Sequence, residues 1–238
     1  MNSAEALTVL ASLILAGSLA GCDAASNVVT KVASPAAASA AAPQTPGTAS
    51  AGETAAALAH LATIEVKGRA PKTGYSREQF GAAWADVDKN GCDTRNDIMK
   101  RDLTGVTFKD GTKSCVVASG KLADKYTGTT INFTRGQDTS SAVQIDHIIP
   151  LSDAWQKGAQ QLSAETRKQL ANDPLNLMAA DGPANSAKGD KDAATWLPPN
   201  KAFRCEYVAR QTAVKAKYKL WMTQAEHDAI AGILATCK

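Results

Sequence analysis

The sequence predicts an α+β domain stapled by disulfides, and three observations predict it. Apolar residues recur at helical spacing behind capping residues at several points between Ser76 and Cys237. Short runs rich in β-branched and aromatic residues, divided by turn residues, fill the middle of that span. Four cysteines, Cys92, Cys115, Cys205 and Cys237, lie within it.

The elements follow in chain order. The domain, residues 61–238, gathers its first large apolar and aromatic residues between Leu61 and Tyr75. Ser76-Arg77-Glu78-Gln79 reads as a capping box, and Phe80, Trp84 and Val87 then share one helical face up to a stop at Gly91. A short helix covers Asp97–Leu103. Val106–Phe108, Ser114–Ala118 and Thr129–Thr134 read as strands, with a turn at Asp110-Gly111. Val143–Pro150 is a further strand, Ser163–Leu170 a helix that Asn172-Asp173-Pro174 ends, and Leu175–Ala179 strand-like. Pro183 opens a helix carrying Asn185 and Lys188. Phe203, Tyr207, Val214 and Tyr218 share a helical face. Thr223 to Glu226 is a second capping box, ahead of Ile230, Ile233, Leu234 and Cys237. Lys191, Lys215, Lys217 and Lys219 read as a solvated face.

Composition excludes little. The chain is 44% hydrophobic and 21% charged, which is ordinary for a globular protein. Its formal charge of +3 is uneven: residues 61–238 hold 25 bases against 20 acids. A mildly basic domain suits a polyanion without requiring one. No zinc-finger spacing or recognition helix is evident, so sequence-specific nucleic-acid reading is not indicated.

Leu7 to Leu19 is an apolar run too short for a comfortable membrane span but suited to a signal-peptide core. It ends in Leu19-Ala20-Gly21-Cys22, which resembles a bacterial lipobox, so residues 1–22 read as a signal with Cys22 as the lipidated residue. That places the protein outside the cytoplasm, as a cell-surface or periplasm-facing lipoprotein, or as a fully secreted protein if Cys22 is incidental. Residues 23–60 are mostly Ala, Ser, Thr, Pro and Gly and read as a disordered tether. With Cys22 set aside, an even count of four cysteines in an exported domain reads as two disulfides. Cys92–Cys115 and Cys205–Cys237 are the favoured pairs of the three arrangements, because each joins elements close in sequence.

The chemistry concentrates at Ile145-Asp146-His147-Ile148-Ile149-Pro150-Leu151. A polar pair in an apolar strand costs several kcal/mol unless partners or a metal satisfy it. Neighbouring strand residues point to opposite faces, so Asp146 and His147 can share a site only at a strand end or twist. Downstream come Asn176-Leu177 and Asn185-Ser186-Ala187-Lys188. Asp-His-x-x-Pro, Asn-Leu and Asn-x-x-Lys in this order resemble the ββα-metal motif of HNH endonucleases. The fuller pattern includes Cys92-Asp93-Thr94-Arg95, Asn172-Asp173-Pro174, Trp196-Leu197-Pro198-Pro199 and Cys205-Glu206-Tyr207. It resembles a branch of exported bacterial HNH proteins related to the C-terminal nuclease half of GmrSD restriction enzymes.

The resemblance implies a ββα core at about residues 141–195, with added helices and short strands. It implies a phosphodiester hydrolase acting on DNA, or RNA, without sequence specificity, as a monomer. His147 would be the general base, and Asn176 would orient its loop. Asp146 and Asn185 would hold one divalent cation, Mg²⁺ before Mn²⁺, Zn²⁺ or Ni²⁺. Lys188, Arg95 and Asp93 would meet substrate. The competing reading is a catalytically inactive surface lipoprotein that captures DNA.

Overall fold

The computed structural model describes residues 50–237. The expected signal, Cys22 and the tether as far as residue 49 lie outside the described residues. The tether was expected to run to residue 60, but the chain is already helical at α1, Ala51–Thr63. Ser50 Oγ accepts from Glu53 N and Glu53 Oε2 accepts from Ser50 N, a reciprocal cap. Thr54, Ala57 and Leu61 form the buried stripe. Alanine is the best helix former, and these small residues let α1 lie close to a later helix.

The helix expected after Ser76 is also different. Only Arg77–Phe80 makes a 3-10 turn, and Ser76 supplies no side-chain cap. Gly81 then takes φ +79°, and Trp84 and Lys89 are left-handed too. Phe80 packs with Ile149, Leu151 and Trp155, whereas Trp84 leans on a second cluster around Ile98 and Val143. Their apolar demands point in different directions, which a continuous helix could not meet.

Asp93 caps α2, Thr94–Asp102, by accepting from Asn96 N at 2.8 Å. Strands β1 (Leu103–Phe108), β2 (Val117–Ala123) and β3 (Thr130–Thr134) form an antiparallel sheet in that order. The Cys92–Cys115 disulfide ties the loop before α2 to the segment entering β2. A second antiparallel pair joins β4, Val143–His147, to β5, Leu177–Asp181, with His147 opposite Leu177. The strand expected to reach Pro150 therefore stops at His147. Pro150 instead precedes α3, Leu151–Gln156. Ser163 caps α4, Ala164–Asn172. Asp181 caps the helix that follows β5 directly, α5, Gly182–Lys188. Helices α6 (Arg204–Tyr218) and α7 (Gln224–Leu234) close the fold, and Cys205–Cys237 joins their outer ends. The protein is thus α+β with two disulfides, in the expected pairing.

Three apolar clusters surround the β4–β5 pair. Ala57, Leu61, Tyr207 and Ile230 fill the space among α1, α6 and α7. Phe80, Ile149, Leu170 and Val214 fill that among α3, α4 and α6. Ile98, Leu122, Phe133 and Val143 join α2 and the larger sheet to β4.

A buried ion cluster crosses the first two. Lys157 Nζ lies 2.7 Å from Asp153, 2.8 Å from Asp192 and 2.6 Å from Glu226. Lys215 Nζ is 3.0 Å from Glu226, and Arg69 bridges Asp153 and Asp192. Lys215 is therefore buried rather than solvated. Glu226 turns inward instead of completing its capping box, although Thr223 still accepts from Glu226 N. Burial pushes Asp192 upward, but the Lys157 hydrogen bond and charge, with Arg69, outweigh it and leave its pKa below the ordinary value.

Removing one partner from such a cluster leaves an uncompensated charge. Glu226→Ala is expected to cost about 3 kcal/mol or more, read as a lower denaturant midpoint in urea titrations. An unchanged midpoint would show the cluster to be dispensable.

Candidate active site at the end of β4

His147 is the last residue of β4, where the chain leaves the strand for α3. This strand end resolves the geometric difficulty posed by adjacent Asp146 and His147: both line one cleft of about 450 Å³. Asn185, Trp84, Arg77 and Arg95 line it as well.

The His147 ring is fixed from behind. Its Nε2 lies 2.9 Å from the Ala171 carbonyl oxygen at the end of α4. A carbonyl only accepts, so Nε2 carries the proton and Nδ1 keeps a lone pair. Burial dominates the ring's acidity and lowers its pKa from 6.5 to about 4. The Ala171 carbonyl and Asp146 oppose that shift, while Arg77 and Lys188 reinforce it. The imidazole is therefore neutral at neutral pH. Trp84 lies nearly parallel to it, 14° between planes and 6.1 Å between centroids.

Asn176 holds the turn that follows. Its Oδ1 accepts from Ile149 N at 2.8 Å, and its own carbonyl accepts from Ile148 N at 2.7 Å. Its Nδ2 donates to the Leu170 carbonyl at 3.2 Å. One fully buried amide thus binds the residues after His147 to α4. It does not line the cleft.

Asp146 is nearly buried, and its carboxylate receives the Tyr126 hydroxyl and the Lys188 ammonium. Lys188 Nζ is 3.1 Å from Asp146 Oδ1 and 2.9 Å from the His147 carbonyl oxygen. The sequence reading gave Lys188 to substrate. The structure instead buries it completely and turns its ammonium inward, so its reach is spent on the protein. Asp93 is corrected in the same way: both its oxygens are engaged by Asn96 as the cap of α2, and it does not line the cleft. Arg95, two residues along, does line it. Burial, then the nearby Arg135, lowers the affinity of the Arg95 guanidinium for its proton.

Asn185 stands on α5. Its Nδ2 donates to Gln144 Oε1 at 2.8 Å, which leaves Oδ1 without a hydrogen-bond donor among the described residues. Two residues with oxygen donors therefore line the cleft, Asn185 with its amide and Asp146 with a carboxylate that already receives Lys188 on both oxygens and Tyr126 on one. Among the described residues no three His, Cys, Asp or Glu side chains form a metal-binding group. The donors present fit a hard cation that keeps most of its ligands as water, and do not fit a caged zinc ion.

The sequence pattern of GmrSD restriction endonucleases, C-terminal domain, matches residues 93–233. The chain belongs to that family. The matched span contains Asp146, His147, Asn176 and Asn185, and begins after Arg77 and Trp84. A GmrSD-type C-terminal domain is a nuclease-family domain, and nucleic acid is the substrate class that goes with it. An uncharacterized secreted protein of Arthroderma benhamiae is 37% identical over 179 residues, covering 74% of this chain and 82% of the relative. No solved structure matches the chain. Among the described residues no helix is long and apolar enough to cross a membrane.

Trp84, Arg77, Gln144 and Tyr126 were missed in the sequence. Gln144 carried a usable signal, because it shares a strand face with Asp146. Tyr126 carried none, since a loop tyrosine gives no hint of a partner 20 residues away.

Two outcomes are expected. Asn176→Ala strands the Ile149 amide and is expected to lower stability by about 3 kcal/mol, measured by denaturant unfolding. Acid should also unfold the domain through His147. The unfolded chain takes up the proton near pH 6.5 and the folded chain only near 4, so stability is full above that window and lost as pH falls through it. The loss should be on the order of 3 kcal/mol by pH 4, and urea midpoints of His147→Gln should vary less between pH 7 and 4.

Proposed function

We propose that this chain is an exported, metal-dependent endonuclease that hydrolyses phosphodiester bonds of nucleic acid, DNA before RNA. One observation carries the reading. A neutral imidazole, its Nε2 proton fixed on the Ala171 carbonyl, shares a cleft with oxygen donors from Asp146 and Asn185.

In this reading Nδ1 of His147 takes a proton from the water that attacks phosphorus. A pKa of about 4 makes a weak base in the empty cleft. The anionic phosphate raises the ring's proton affinity on arrival, so the base strengthens when substrate is present. Arg77 and Arg95 draw the phosphodiester in, and Arg95, being half-buried, is the less screened of the two. Asn176 keeps His147 from swinging away with its turn. Lys188 and Tyr126 hold the Asp146 carboxylate in one orientation, and Gln144 presents the Asn185 oxygen. Asp146 and Asn185 would hold the cation, which supplies charge neutralisation at the phosphoryl oxygens. With β4 paired to β5 and α5 following β5 directly, the ββα-metal arrangement is the reading of this core.

Export is supported by two disulfides and by a relative named as secreted. Attachment through an acylated Cys22, with the protein acting as a monomer, completes the proposal on the sequence pattern alone.

Purified domain is expected to degrade plasmid DNA with Mg²⁺ and to lose activity with a chelator. His147→Ala is expected to reduce the rate by about 10²- to 10⁴-fold while still retaining DNA at low salt. Intact DNA across Mg²⁺, Mn²⁺, Zn²⁺ and Ni²⁺ would overturn the proposal.

A further inference from the structure

Trp84 has φ +57°, a left-handed conformation that is costly for a bulky side chain. Packing draws Trp84 away from Phe80 onto its own cluster, yet the residue also lines the cleft. The side chain is only partly buried and packs against the cluster that contains Ile98 and Val143. The backbone beside it is pinned. Thr94 Oγ1 donates to the Ala85 carbonyl, Asp86 Oδ2 accepts from Gly91 N at 2.9 Å, and Cys92 is bonded to Cys115. The pinned backbone holds a partly buried aromatic residue where it can meet a ligand in the cleft.

Its surroundings define that partner. The indole lies nearly parallel to the His147 ring and shares the cleft with Arg77 and Arg95. A flat apolar face among cations suits a group that is both flat and tied to phosphate. We propose that Trp84 is a stacking platform for the nucleobase next to the scissile phosphate, and that the cleft therefore prefers unpaired nucleotides. Bases inside a duplex have both faces covered by their neighbours, so only a single strand, or a nucleotide turned out of the helix, can offer a free face. This inference rests on the proposed nuclease reading. The family match starts at Asp93 and does not reach Trp84.

The test compares wild type, Trp84→Phe and Trp84→Ala on single-stranded and duplex oligonucleotides of one sequence. Each is made with normal bases and with an abasic residue at each position flanking the mapped cut. Wild type is expected to show a KM about tenfold lower on the single strand. One abasic position should raise KM about tenfold, with a smaller change in kcat. Trp84→Ala should raise KM on the normal strand to the abasic level and add little on the abasic strand, and Trp84→Phe should recover part of the difference. Equal losses on normal and abasic strands would make Trp84 merely structural and overturn the inference, as would a wild type that cuts but ignores abasic positions. If Trp84→Ala fails to fold by circular dichroism, the abasic series on wild type and Trp84→Phe decides. A wild type that cuts nothing removes the nuclease reading itself, and this inference with it.

Discussion

The ion pair between Asp146 and Lys188 is the constraint around which the site is arranged. Both groups are removed from water, and a buried pair is tolerable only when its geometry is good and its remaining valences are met. The Tyr126 hydroxyl and the His147 carbonyl meet them. Tyr126 is in turn packed edge-on against Trp196 and Tyr207. An aromatic wall thus seals one side of the carboxylate while its strand faces the cleft on the other. Lys188 follows Asn185 by three positions on α5. The two therefore share a face of that short helix, and the ion pair made by Lys188 fixes the helix that presents the Asn185 amide.

That arrangement separates two electrostatic tasks. Asp146 is paired with the Lys188 ammonium, while His147, one residue along, is kept neutral mainly by burial. The strand end makes the division possible, because the two side chains meet different surroundings although their backbones are consecutive. Asn176 serves both, since it ties the turn after His147 to α4 and pairs its carbonyl with Ile148.

Much of this was legible in residue order. Strands β4 and β5, the helix with Asn185 and Lys188, the face of α6 and the Thr223 cap all follow from local rules of spacing and capping. Both disulfide pairings follow from proximity in sequence. What escaped was decided over long distances. Lys188 read as a substrate contact, Lys215 as part of a solvated face and Glu226 as a capping-box residue, because nothing local reveals that their partners lie 42, 11 and 69 residues away. Alanine-rich α1 was indistinguishable from tether, since its low hydrophobicity is sufficient only when a matching helix is present to receive it. The Trp84 segment satisfied a helical pattern in apolar spacing, yet two separate clusters claimed Phe80 and Trp84 and broke it.

The interior salt cluster has an implication for how this protein can diverge. Arg69, Lys157 and Lys215 balance Asp153, Asp192 and Glu226, drawn from five separate stretches of the chain. Neutralising any of the five buried members leaves a net unit of charge away from water, with only Arg69 reaching the surface. Lineages can therefore drift there only by changing opposite signs together, or by converting the whole group to apolar residues of similar bulk. Those six positions should travel through evolution as a linked set, although none of them touches the cleft.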